Sequence, residues 1–173
     1  MKWSYLICMN GAGPVQGNIS NYSGSWPKAV IHFLKKSGYM NGAILEPFAG
    51  KSNLETMKLD INPTLNPDIV GAAHKLPFKD NCFDSAILDP PYTEKFSKTL
   101  YNTKMPNIKN CMKETVRCLR HGAFMSVLCL KNMPTYKYMT TVEKVFVSLG
   151  PDRHVRCLNI YKIDKTKQDV LCR

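Results

Sequence analysis

The chain has 173 residues, with 24 Lys plus Arg against 13 Asp plus Glu, and carries a formal charge of +11. At 44% hydrophobic and 21% charged it holds enough apolar material for a core, which excludes a disordered chain, and its length suits one domain over 1–173. No apolar run approaches the roughly 18 residues of a membrane helix, and Trp3–Met9 lacks a small-residue cleavage site after it, so neither a span nor an export signal is expected.

Seven cysteines make an odd count with no C-x-x-C pair, which is poor spacing for zinc and a poor disulfide framework. Runs such as Val127-Leu128-Cys129-Leu130 point to reduced, buried thiols and so to a reducing compartment, the cytoplasm. No metal site is expected. The charge is lopsided: residues 1–92 carry a net +1 and residues 93–173 a net +10. Such a field gathers polyanions, although a solvated surface would account for it equally well.

Along the chain, Trp3–Met9 reads as a strand running into Asn10-Gly11-Ala12-Gly13-Pro14, a turn rather than a phosphate loop. Val30, Ile31, Phe33 and Leu34 share one helical face over Trp26–Lys36, with Ser25 as N-cap, Pro27 in the first turn and Gly38 and Gly42 as stops. Residues 1–38 thus form a lead-in segment and helix. Four short strands follow: Ala43–Leu45, Met57–Ile61, Asp68–Val70 and Phe83–Leu88. Residues 93–106 read as a polar loop. Ile108–Arg120 is the clearest helix, closed by His121-Gly122, and Ala123–Leu130 is a continuously apolar, buried strand. After Pro134 a short helix is expected. Val145–Leu149 and Val155–Ile163 read as a hairpin about Gly150-Pro151-Asp152, with a helix over 136–149 as its rival. Strands alternating with helices and ending in a hairpin predict an α/β sheet, mostly parallel with an antiparallel edge.

Ligands of such sheets bind beyond the carboxyl ends of the strands. Three of these strands end in chemistry: Glu46 with Pro47-Phe48-Ala49-Gly50, Asp60 with Ile61, and Asp89-Pro90-Pro91-Tyr92. Gly50 lets a ligand approach the backbone, and Asp60 is placed to accept from ribose hydroxyls. Two consecutive prolines fix the backbone and leave carbonyls free to accept, Asp89 adds an acceptor, and Tyr92 adds a flat face. That combination is a socket for a planar group bearing an amine.

Glu46–Gly50, Leu59-Asp60, Leu76-Pro77-Phe78 with Phe83-Asp84, and Asp89–Tyr92 together resemble the class I S-adenosylmethionine-dependent methyltransferases with a D-P-P-Y motif, the nucleic-acid amino-methyltransferase type. The resemblance implies a Rossmann-like sheet and S-adenosyl-L-methionine as cofactor. It also implies methyl transfer to an exocyclic amine of a base in DNA or RNA, adenine first. Glu46, Pro47, Phe48, Ala49 and Gly50 would hold the amino-acid end of the cofactor, Asp60 with Ile61 its ribose side, and Leu76 its adenine; Trp26 suits covering it or, equally, packing on the core. Asp89 and the Pro90 carbonyl would take the amine hydrogens, with Pro91 stiffening the turn and Tyr92 stacking on the base. Residues 43–92 would then carry the motifs, and the basic half 93–173 would face phosphates. A homodimer or a partner subunit would supply recognition, since no separate recognition domain fits.

The chain departs from the pattern in three places. Gly50 and Asp60 are too close for the usual intervening helix, which is therefore shortened or absent; Ser52 replaces a glycine, and Ala72 a carboxylate. Two rival functions stand beside this one. A protein glutamine amino-methyltransferase would carry asparagine in place of Asp89. A non-catalytic cofactor- or nucleic-acid-binding relic of the fold would explain the short connection. Tyr101, Tyr136 and Tyr138, set among basic residues, suit stacking on unpaired bases or an ordinary surface.

Overall fold

A computed structural model describes residues 1–7, 26–101, 104–148 and 155–166. Eight strands form one sheet: β1 (Lys2–Ile7), β2 (Ile44–Pro47), β3 (Met57–Asp60), β4 (Ile69–Val70), β5 (Phe83–Leu88), β6 (Leu119–Cys129), β7 (Met139–Ser148) and β8 (Arg156–Ile163). Among the described residues three α-helices accompany them, α1 (Lys28–Lys36), α2 (Glu94–Tyr101) and α3 (Ile108–Cys118), with a short 3-10 turn at Pro63–Leu65. The strand order is β1-β7-β8-β6-β5-β2-β3-β4. Every pairing is parallel except those of β8, which runs antiparallel to both β6 and β7. The order doubles back at β2 and β5, and that reversal is the crevice where ligands of open α/β sheets lie.

Each face of the sheet buries its own core, because alternate residues of a strand point to opposite sides. Leu88, Met125, Val127 and Tyr161 pack with Met112 and Val116 of α3. Ile87, Leu128, Leu158 and Ile160 pack with Val30, Ile31 and Leu34 of α1. A Schellman motif closes α1: Gly38 N–H donates to the Lys35 carbonyl (3.1 Å) and Tyr39 N–H to that of Leu34 (2.9 Å), with Gly38 at φ +73°. At Gly42 (φ +60°) a side chain would collide with Asp84, whose carboxylate accepts from Ala43 N–H at 2.8 Å. Cys111, Cys118, Cys129 and Cys157 are buried free thiols and Cys82 is half-buried, as the composition suggested for reduced cysteines. Burial pushes the thiols of Cys111, Cys118 and Cys129 up to about 11.

The expected α/β sheet, mostly parallel with an antiparallel C-terminal hairpin, is the observed one, and it fits the Rossmann-like class I fold. The turn between β7 and β8, the Gly11 segment and the proposed Ser25 cap lie outside the described residues. Four local readings need correction. The rival helix over 136–149 gives way to β7, and no helix follows Pro134: residues 131–138 run as a loop across the α3 face, where Tyr161 Oη donates to the Met133 carbonyl at 3.1 Å. Residues 94–101 of the supposed polar loop are helical, helped by the i,i+4 pair Glu94–Lys98 at 3.2 Å. α3 stops at Cys118 and the strand begins at once, so Gly122 (φ +81°) does not end the helix. It lies instead in a bulge, where Phe83 pairs with Leu119 but Ser85 with Phe124. The first strand lies at the far edge, pairing with β7 in parallel.

Candidate active site

Register explains why the motifs meet. Leu45 pairs with Ala86 on one side and Met57 on the other, and Pro47 with Leu59. One further step along each strand therefore sets Phe48, Asp60 and Asp89 side by side at the same edge of the sheet. No helix stands between β2 and β3; residues 48–56 form a turn in its place, as the short spacing implied.

Two carboxylates organise that turn. Glu46 is fully buried, and its Oε2 accepts from the hydroxyls of Ser52 (2.9 Å) and Thr56 (2.5 Å). Its Oε1 is buried without a hydrogen bond of ordinary geometry. Burial pushes the Glu46 carboxyl above the usual carboxylate range, while Thr56, Ser52, the Trp26 indole and Lys58 act in the opposite direction. Asp60 Oδ2 accepts from Gly50 N–H and Oδ1 from Asn62 N–H, both at 2.9 Å. The chain reverses through Phe48 (φ +63°) and Gly50 (φ +56°), and Ala49 N–H bonds the Leu59 carbonyl at 3.1 Å. The phenyl side chain at Phe48 tolerates the left-handed region at a cost of order 1 kcal/mol, held there by its neighbours. Pro47 and Ala49 are buried, and Ile61 is 53% exposed beside Asp60. Leu76 is buried in the α3-side core, its N–H bonded to Glu114 at 3.1 Å. Trp26 is buried against the α1-side core.

The second half of the site is a three-membered chain. Tyr92 Oη donates to Asp89 Oδ1, and Arg156 Nη1 donates to Tyr92 Oη at 2.7 Å and lies 3.9 Å from Asp89 Oδ2. Burial raises the Asp89 carboxyl to about 6, although the Tyr92 hydrogen bond and the Arg156 charge both lower it. The Tyr92 phenol is held well above its usual range by burial and by the neighbouring Asp89 charge. Pro90 is buried and Pro91 half-buried, so the turn is rigid at its centre.

The sequence motifs at 46–50, 60–61 and 89–92 thus share one edge, with Trp26 reaching Glu46 from just before α1; Leu76 lies in the α3-side core with Leu45, Leu59 and Leu88. Three participants were not among the candidates. Ser52, noted only as a replaced glycine, is a ligand of Glu46, and Thr56 is another. Arg156 was counted with the phosphate-facing cations, yet its side chain is 13% exposed and directed at Asp89 and Tyr92. Tyr136 and Tyr138 pack against the core, with Lys109 and Lys137 5.8 and 4.8 Å from their ring centroids.

No protein-family model matches the chain, and no curated protein matches it. Solved structures do. TrmN from Thermus thermophilus superposes with a TM-score of 0.56 at 14% identity, covering 78% of this chain and 48% of that one. The N-methyltransferase NodS from Bradyrhizobium japonicum WM9 gives 0.54 at 12% identity, covering 79% and 93%. The PH0226 protein from Pyrococcus horikoshii OT3 gives 0.52 at 15%, covering 78% and 88%. At such identities the likeness is one of fold, and the fold is that of the class I methyltransferases.

Proposed function

We propose that the protein transfers the methyl group of S-adenosylmethionine to an exocyclic amino nitrogen of a nucleic-acid base, adenine first. The observation that carries this reading is the adjacency of β2 and β5, which sets Glu46–Gly50 beside Asp89–Tyr92 at one sheet edge. The residues present fit the cofactor. Glu46 keeps a buried oxygen, Oε1, whose nearest help is the Trp26 indole and which has no hydrogen bond of ordinary geometry, so it suits an ammonium or amide hydrogen. Asp60 spends two bonds on backbone amides, and a carboxylate can accept about four, so room remains for ribose hydroxyls. The exposed Ile61 offers an apolar face next to it.

When bound, the cofactor supplies an electrophilic methyl on a sulfonium. The chain's own residues position and deprotonate the acceptor. An aromatic amine is a poor nucleophile because its lone pair is delocalised into the ring. Asp89 and the Pro90 carbonyl accept its two hydrogens, which favours a tetrahedral nitrogen with its lone pair directed outward. A carboxyl titrating near 6 is ionised at neutral pH, yet it is a better proton acceptor than an ordinary aspartate. Tyr92, held through its hydroxyl by Asp89 and Arg156, presents its ring in a fixed plane for the base.

Asp89→Ala should abolish transfer of radiolabelled methyl to DNA or bulk RNA while leaving calorimetric cofactor affinity within a few-fold. Retained turnover would remove the socket. One observation favours a second reading: with no helix after β2, Gly50 N–H occupies an oxygen of Asp60. A relic that has lost the cofactor predicts no cofactor binding, which the same calorimetry reads, and a relic that still binds it predicts binding without methyl transfer.

A further inference from the structure

The far edge of the sheet carries rings where the motif edge carries carboxylates. Trp3 and Tyr5, two residues apart on β1, share the α3-side face with Phe146 of β7, whose neighbours in register are Tyr5 and, one step back, Lys144 beside Trp3. Trp3 stacks on Phe146 with ring centroids 5.5 Å apart and planes 17° apart, and the Tyr5 ring lies 5.4 Å from the same Phe146 ring. This ladder is open to solvent: Trp3 is 48% and Tyr5 81% exposed. At its upper end Tyr5, Leu6, Phe146, Ser148 and Val155 line a shallow cavity of about 200 Å³.

A cation completes the row. Lys144 is 6% exposed, with its ammonium 5.8 Å from the Trp3 ring centroid. It is held by two neutral acceptors, the Asn132 side chain and the Met133 carbonyl at 3.3 Å. A nearly buried positive charge beside exposed rings is complementary to an anionic, flat-faced ligand. Single-stranded nucleic acid has both properties, since every base offers a π-face and every linkage a phosphate.

We propose that Trp3, Phe146 and Tyr5, with Lys144, form a stacking platform for unpaired bases of a single-stranded nucleic acid. This deepens the proposed function and rests on it for the target base, which would enter at Asp89 while flanking bases lie on the platform. Val155 ends the platform and immediately precedes Arg156, so both sites reach the same end of the strands, though on different stretches of the sheet. From β5 to β1 is four strand spacings, roughly 19 Å at about 4.8 Å each, a distance that a few nucleotides cover.

The chain's two tryptophans provide the test, because Trp26 is 8% exposed and a bound base would reach only Trp3. Titration with a short oligodeoxyadenylate and its ribo counterpart should quench the exposed tryptophan emission saturably, and more weakly as salt rises. Tyr5→Ala should leave the unfolding midpoint unchanged and weaken binding by about tenfold, read by anisotropy of a labelled oligonucleotide. Trp3→Phe should remove the quench yet keep most of the binding. Binding without quench, or an unaffected Tyr5→Ala, would overturn the platform. So would sedimentation showing a dimer that Tyr5→Ala dissolves, since a second copy would then be the occupant. Methyl transfer to nucleic acid without quench sinks the platform alone; quench without methyl transfer sinks the enzymatic reading alone.

Discussion

The two halves of the sheet are built differently. β2, β3 and β4 have four, four and two residues, and their connections are held by Glu46, which accepts from the Ser52 and Thr56 hydroxyls, and by Asp60 and Asp68, which accept from backbone amides. β6, β7 and β8 have eleven, ten and eight residues and interlock through long antiparallel ladders. The long half is a framework of apolar burial. The short half is a set of turns tied to carboxylates, of which Glu46 and Asp60 are buried, which is costly for stability and useful for chemistry. Fold and reactivity are thereby separated along the sheet, meeting where Arg156 of β8 touches Asp89.

The sharpest way to break this contrast is to compare core truncations. Leu158→Ala in β8, a side chain with no exposure, should lose about 3 kcal/mol in urea unfolding, whereas Ile69→Ala in the half-buried β4 should lose about 1. Equal losses would mean that the short half carries as much of the fold as the long one. Next in size is the pH response. With Asp89 raised to about 6, the carboxylate needed for transfer disappears as pH falls through 6, so the rate should drop about tenfold per unit below it. A limb near 4 would mean that Asp89 is not the titrating group. The smallest effect is the most telling. The Glu46 carboxyl is raised above its unfolded value, so its ionisation penalises the folded state only as pH rises beyond the ordinary carboxylate range. Glu46→Gln keeps an acceptor for Ser52 and Thr56 and should stabilise the protein by about 1 kcal/mol at neutral pH, by thermal melting, with no gain at pH 4.

Much of this was legible in the residues. Apolar runs ending in Glu46, Asp60 and Asp89 mark strands whose tips carry chemistry, and an α/β alternation leaves few places for those tips to go. What was illegible is long-range. Charge counting set Arg156 among the solvent-facing cations because nothing local says that β8 slots in against β6 and so starts near where β5 ends. The Trp3–Tyr5 pair read as an unremarkable strand because its partner, β7, lies some 140 residues along the chain and was itself contested as a helix. α2 was missed for its polarity, although Glu94 and Lys98 at i,i+4 were a usable signal. Ser52 and Thr56 could be noticed as hydroxyls but not assigned to Glu46, since that requires the turn that replaces the helix.

The placement of the thiols has a practical consequence. Among the described residues, Cys111, Cys118, Cys129 and Cys157 are all sealed in α3, β6 and β8, while the half-buried Cys82 sits just before β5. Of these five, an alkylating reagent will therefore modify Cys82 first, and the other four only as the framework itself opens. Their labelling, resolved peptide by peptide, is a built-in clock for the breathing of the long-stranded half, one that needs no engineered probe.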